Sequence, residues 1–314
     1  MITKKLTVNL PLHINLEQQF FKESSNKKGE IALFRAFIRV LNNIGPNSLA
    51  HEYHGNRYQV TFNALRGAGR SVPRCELCDV MIIYYPEGNP DLARFTFNQA
   101  KVTKKPLNYL PTTTLPYNFQ ANLEQWDLLS NRPIITSVTK KNQFPPDLLA
   151  SAILPSIGTF GIFYPANTGF DFAYFVANEL SPLNNNSSAA GTLQWKSKLN
   201  QVRNINNYNE VTSACCMFSF GLFLEHGLIG TPIQPTLYGT SGSAEMQSWI
   251  KGILSSLNGL YPDSELPTEL LMGLDLGRED ISNVVKFRFP RSVALLKVNP
   301  DAWGKIEPAT FLAT

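Results

Sequence analysis

Between Gly29 and Asn43 the apolar residues Ile31, Phe34, Phe37, Ile38 and Leu41 recur three or four positions apart, the spacing of one helical face. Ser25 or Asn26 can cap this helix, and Gly45-Pro46 ends it. Tyr58 to Phe62 alternates as a short strand. Glu76 to Tyr85 (ELCDVMIIYY) is rich in strand formers, Pro86 to Ala93 (PEGNPDLA) is turn chemistry, and Arg94 to Val102 (RFTFNQAKV) returns. These three segments predict a β-hairpin. Asn118 to Ser130 carries Leu123, Trp126 and Leu129 at helical spacing, and Ile134 to Val138 reads as a strand after Pro133. The predicted order is α, β, β-hairpin, α, β.

Lys140 to Pro146 (KKNQFPP) interrupts the pattern, because Pro-Pro ends any regular element. A boundary near residue 140 divides the chain into 1–140 and 141–314. The second part reads as mixed α/β. Ser156 to Tyr164 and Val284 to Val298 are strand-like, and Ala244 to Leu257 is a helix whose stripe of Met246, Trp249, Ile250, Ile253 and Leu257 reads as core, with an interface the alternative. Ser181 to Ser188 and Gln201 to Glu210 read as polar loops, and no internal repeat is present.

With 43% apolar residues the 314-residue chain can build a sizeable core, which excludes global disorder. The longest apolar run, Val211 to Leu224, is too short to span a bilayer and reads as a buried element. Residues 1–12 are broken by Asn9 and Pro11 and do not form a signal-peptide core. Four cysteines are too few for a secreted disulfide framework of this length, so a reduced, cytoplasmic setting is expected.

The net charge of +4 is unevenly spread: residues 1–140 carry 17 Lys/Arg against 10 Asp/Glu, and the remainder carries 11 against 14. A basic first part suits a polyanion, because each cation near a phosphate releases condensed counterions. Arg57, Arg66, Arg70 and Arg74 cluster around a Gly-punctuated basic loop, Leu65 to Pro73, and Lys104 and Lys105 extend the patch. These six are the candidate phosphate contacts. A mildly basic solvated surface is the plainer reading of the same residues.

The hairpin carries the chemistry. Gln99 and Lys101 share a face, since side chains two apart on a strand point the same way. With strand ends near Tyr85 and Arg94, Asp79 stands across from Ala100; a one-residue slip brings it opposite Gln99 or Lys101. One acid, one amide and one amine then converge on an otherwise apolar sheet. A hard divalent cation takes oxygen ligands, which Asp79 and Gln99 supply. Lys101 can orient a water or stabilise charge on a phosphate. Glu30, at the start of the first helix, is a candidate fourth member. An Asp79–Lys101 ion pair with Gln99 filling a polar pocket is the structural alternative.

Asp79, followed across a hairpin by Gln99-Ala100-Lys101, resembles the PD-(D/E)xK nuclease superfamily in the variant where Gln replaces the second acid. The resemblance covers about residues 25–140. It implies a restriction-endonuclease-like α-β-β-β-α-β core with a mixed sheet, Mg²⁺ or Mn²⁺ on Asp79 and Gln99, and Glu30 as the first-helix acid. It implies an endonuclease acting on DNA, with RNA an open alternative and restriction or anti-phage defence as a setting. Residues 141–314 would recognise the target, or join a partner protein or a second copy. Cys78 stands where the motif has Pro, and Gln99 where an acid is more common. The second departure favours the alternative function, a non-catalytic nucleic-acid-binding or scaffolding subunit.

Three further patterns compete. His51-x-x-His54 with Cys75-x-x-Cys78 offers zinc ligands, but Cys75 and Cys78 lie in or beside a strand, where residues three apart face opposite sides. Cys215, Cys216 and His226 evoke a thiol hydrolase, yet the cysteines sit in an apolar run that favours inert burial. Gly239 to Ser243 precedes a helix as a phosphate loop would, but lacks the following Lys; Ser243 is better read as an N-cap.

Overall fold

The computed structural model describes residues 10–53, 59–65, 72–107, 117–138, 144–167, 169–184, 188–238, 243–276 and 289–305. In chain order these begin with α1 (Leu12–Ser24), α2 (Glu30–Asn43), β1 (Ser48–Glu52), β2 (Gln59–Phe62), β3 (Arg74–Glu76), β4 (Val80–Pro86) and β5 (Arg94–Val102). Next come β6 (Tyr117–Asn122), α3 (Leu123–Asn131), β7 (Ile135–Ser137), β8 (Gly158–Ala166), β9 (Gly169–Val176) and β10 (Ser181–Pro182). Then follow β11 (Ala190–Trp195), β12 (Val202–Ile205), β13 (Tyr208–Val211), β14 (Ser213–Ala214) and α4 (Met217–Glu225). The last are β15 (Thr231–Pro232), α5 (Ile233–Tyr238), α6 (Ser243–Leu260), α7 (Leu266–Gly273) and β16 (Ser292–Val298).

The fold is α/β around a mixed sheet of order β1-β16-β4-β5-β8-β9-β14, with β15 against β5. β16 runs parallel to β4 and β8 parallel to β5; the other central pairs are antiparallel. Strands buried on both faces read as continuous apolar runs, and β4, VMIIYYP, is buried at every position. Its alternate side chains feed two cores. Val80, Ile82 and Tyr84 meet Leu16, Phe20, Phe34, Phe37 and Phe220 of α1, α2 and α4. Met81, Ile83 and Tyr85 share the other core with Trp249 and Ile253 of α6 and with the small sheets.

The sheet runs across the expected boundary near residue 140. β16, from the end of the described chain, lies between β1 and β4, and β8 pairs with β5. A Pro-Pro break stops an element, but it does not stop the next strand from joining the same sheet.

Several local expectations also change. Gln59–Phe62 and Ile135–Ser137 do form strands, but they pair in a separate sheet, β3-β2-β7. Residues 117–122 form β6 rather than the start of a helix, with Tyr117, Phe119 and Ala121 buried in strand alternation. Asn122 then caps α3, accepting from the Glu124 and Gln125 N–H groups. In α2 the first residue of the expected stripe, Ile31, is 60% exposed, and Leu33, Ala36 and Val40 are buried instead. Gly29, at φ 84°, stands at its N-cap in place of Ser25 or Asn26. Gln201 to Glu210 is a hairpin, not a loop. Asn206 and Asn207 at φ 52° and 65° supply the left-handed pair that a two-residue turn requires.

Candidate active site

The hairpin β4–β5 pairs Val80 with Asn98 and Met81 with Phe97, one residue away from the register expected of its ends. Continued by one step, this register sets Asp79 opposite Gln99. β5 runs four residues past the last β4 pair, so Gln99 to Val102 keep β8 on one side and lose β4 on the other. A strand edge exposes unmet N–H groups. Here the Asp79 carboxylate takes the place of the missing strand: its Oδ2 accepts from the Ala100 N–H at 2.8 Å, and the Asp79 N–H donates to Asn98 O at 3.0 Å.

The ends of five elements, β1, β4, β5, β16 and α2, come together at this point. The parallel pairing of Val293 with Met81 places Arg291 level with Asp79, and Glu52 pairs with Ser292 on the far side of β16. Arg291 Nη1 lies 3.6 Å from Asp79 Oδ1, and its Nη2 lies 3.7 Å from Glu52 Oε1. Its guanidinium sits over the Phe34 ring of α2, 5.6 Å from the centroid. Lys101 Nζ lies 3.6 Å from Glu30 Oε1 at the start of α2. Thus Lys101 pairs with Glu30, Asp79 and Glu52 flank Arg291, and the register sets Gln99 across from Asp79.

Electrostatics follow from burial. Asp79 is 8% exposed. Desolvation raises its pKa above the ordinary carboxylate value, opposed by Lys101, the Ala100 N–H and Arg291. Glu76, on β3, is also raised, first by burial and then by the Asp79 charge. The two carboxylates therefore share one patch of field with Lys101 and Arg291.

Gln99 is the least satisfied of the buried polar side chains of β5, although Asn98 Oδ1 also lacks a partner. Thr96 Oγ1 donates to Ser156 O, and Asn98 Nδ2 donates to Thr159 Oγ1. Gln99 is 0% exposed, and both its Oε1 and its Nε2 lack a hydrogen-bond partner. An amide buried this way costs about 1–3 kcal/mol. A sequence tolerates such a cost most readily at a functional site.

The other candidates are more dispersed. Arg74 is exposed and donates to Gln59 Oε1, and Lys104 and Lys105 are exposed just past β5. Arg57, Arg66 and Arg70, with most of the basic loop, lie outside the described residues, as do His54 of the zinc pattern and Gly239 to Gly242. His51 Nδ1 is bonded to the Tyr261 hydroxyl, and Cys75 and Cys78 are buried. Cys215 and Cys216 lie at the start of α4, whereas His226 ends it and bonds Lys305 O. The helix rise puts them about 15 Å apart, too far for a thiol–imidazole pair. Burial alone does not set the Cys215 thiol. Hydrogen bonds from Cys216, Ser219 and Asn200 lower Cys215 despite its burial.

Glu52 and Arg291 were missed by sequence reasoning. Neither belongs to a local motif, and only strand order brings them to Asp79. The chain matches no family model, no curated protein and no solved structure. The chemistry of the site therefore rests on its own geometry. Among the described residues no helix is long and apolar enough to cross a membrane.

Proposed function

We propose that this chain is a metal-dependent endonuclease acting on DNA, with its cleavage centre at Asp79, Gln99 and Lys101. The observation that carries the reading is Gln99. It is fully buried, has two unpartnered amide atoms, and stands in register across from an acid whose Oδ1, among the described residues, faces Arg291 at 3.6 Å. Element order supports it as well. With β2, β3, β6 and β7 set aside, because they pair in smaller sheets, the series α2, β1, β4, β5, α3, β8 follows the α-β-β-β-α-β order of a restriction-endonuclease-like core, with β16 inserted between β1 and β4.

The donor set fits Mg²⁺ or Mn²⁺. Mg²⁺ is usually held by one or two carboxylates together with waters and substrate phosphates. Asp79 Oδ1 and Gln99 Oε1 would supply the protein oxygens. Among the described residues no three His, Cys, Asp or Glu side chains gather as a metal group, so the remaining ligands would be water and phosphate. A bound metal would polarise the scissile phosphate and lower the pKa of an attacking water. Lys101, 12% exposed and restrained by Glu30, would hold that water or the phosphate oxygen. Exposed Lys104, Lys105 and Arg74 would track the backbone of the nucleic acid.

One observation favours a second reading, a nucleic-acid-binding subunit without catalysis. Asp79 is already engaged by the Ala100 N–H and faces Arg291, with Lys101 adding a further positive charge, so its charge has partners without a metal. Incubating plasmid and single-stranded DNA with the full chain, with Mg²⁺ or with chelator, separates the two. The nuclease reading expects metal-dependent nicking; binding with intact release expects the subunit.

A further inference from the structure

Arg291 reaches the site from the opposite end of the described chain; its main-chain O accepts from the Tyr53 N–H at 2.8 Å, but among the described residues its side chain makes no direct hydrogen bond. Among them the side chain is held by Asp79 Oδ1 at 3.6 Å, Glu52 Oε1 at 3.7 Å and the Phe34 ring at 5.6 Å. Charge-assisted pairs that lock a guanidinium sit at about 2.7–2.9 Å. Arg291 is thus positioned by charge and by an aromatic face, between two carboxylates, with its side chain 28% exposed. Asp79 has one oxygen fixed by the Ala100 N–H, and the oxygen left for a metal is the one facing Arg291.

We propose that Arg291 is a resident counter-ion of the metal position, which a divalent cation must displace from Asp79 toward Glu52. The inference rests on the nuclease reading. Buried carboxylates need neutralising partners; Lys101 supplies the larger counter-charge to Asp79, and Arg291 supplies the one that directly faces Oδ1, at 3.6 Å. A dication on the same oxygen repels the guanidinium. Glu52 offers the alternative seat, and it is shared with Arg35, whose Nε lies 3.8 Å from Oε2. Arg291 is accordingly a positioning residue, acting through the charge of Asp79.

The test is Mn²⁺ binding to the full chain, followed by the paramagnetic signal of the free ion and by calorimetry, alone and with a noncleavable DNA that supplies the phosphate ligands. Arg291→Gln should bind Mn²⁺ about tenfold more tightly than the wild type. Arg291→Lys, which keeps the charge, should stay within about twofold. Glu52→Gln, at a partly exposed position that should fold normally, should bind about threefold more weakly because Arg291 then leans on Asp79 alone. In the Arg291→Gln background that loss should vanish. Equal affinity of wild type and Arg291→Gln, or of wild type and Glu52→Gln, overturns the counter-ion role and leaves the metal site standing. A wild-type chain that binds no Mn²⁺ overturns the metal reading and the counter-ion role with it.

Discussion

Asp79 Oδ2 accepts a hydrogen bond from the main-chain N–H of Ala100 at 2.8 Å, and Ala100 is the residue between Gln99 and Lys101. The contact ties the acid to the strand that carries the amide and the amine. It also fixes one carboxylate oxygen and leaves the other for chemistry. Asp79→Asn keeps an oxygen for Ala100 and removes the charge. Metal-stimulated cleavage should fall at least about 100-fold, while circular dichroism stays native. Activity within a few-fold of wild type would remove Asp79 from the site.

Gln99→Leu should separate stability from function. Leucine fills the same apolar surroundings without burying an unpartnered amide, so the folded state should gain about 1–2 kcal/mol. Cleavage and Mn²⁺ affinity should both drop. A thermal melt with a lowered midpoint would mean that Gln99 has a structural partner, and the proposal would lose its main support.

Lys101→Met should abolish cleavage and leave Mn²⁺ affinity within about threefold, because the amine is assigned to water or phosphate and not to the metal. Its ion partner Glu30 is 44% exposed at 3.6 Å. Such pairs contribute about 0.5 kcal/mol or less, so Glu30→Gln should barely move the melting midpoint. It should still slow cleavage by releasing Lys101. Equal cleavage by wild type and both variants would reduce the pair to surface electrostatics.

The salt dependence of binding reports the phosphate path. Arg74→Ala, Lys104→Ala and Lys105→Ala should each flatten the slope of log affinity against log salt by about one unit on noncleavable DNA. A slope unchanged in all three would place the nucleic acid elsewhere.

Truncation after residue 140 should not yield an independently folded domain. It removes β16, which lies between β1 and β4, and β8, which covers β5. Two central strands would lose a neighbour and both cores would lose helices. The truncated chain should lack a cooperative melt; a sharp transition would show that residues 1–140 fold alone.

The hydrophobic pattern alone located α2, the β4–β5 hairpin, β8 and α6, because burial on one or two faces imposes period 3.6 or an unbroken apolar run on the residues themselves. The same local logic marked Asp79, Gln99 and Lys101 as polar residues out of place in such a hairpin. It could not choose the register, since a slip of one residue leaves the composition of each strand unchanged. Nor could it assign strands to sheets. β2 and β7 look no different from central strands, yet they pair with β3. Sequence placed the acid, the amide and the amine within one hairpin. Only the tertiary structure brought Arg291 and Glu52 to them, because pairing between strands more than 200 residues apart is decided by how the faces pack, and no local spacing records it.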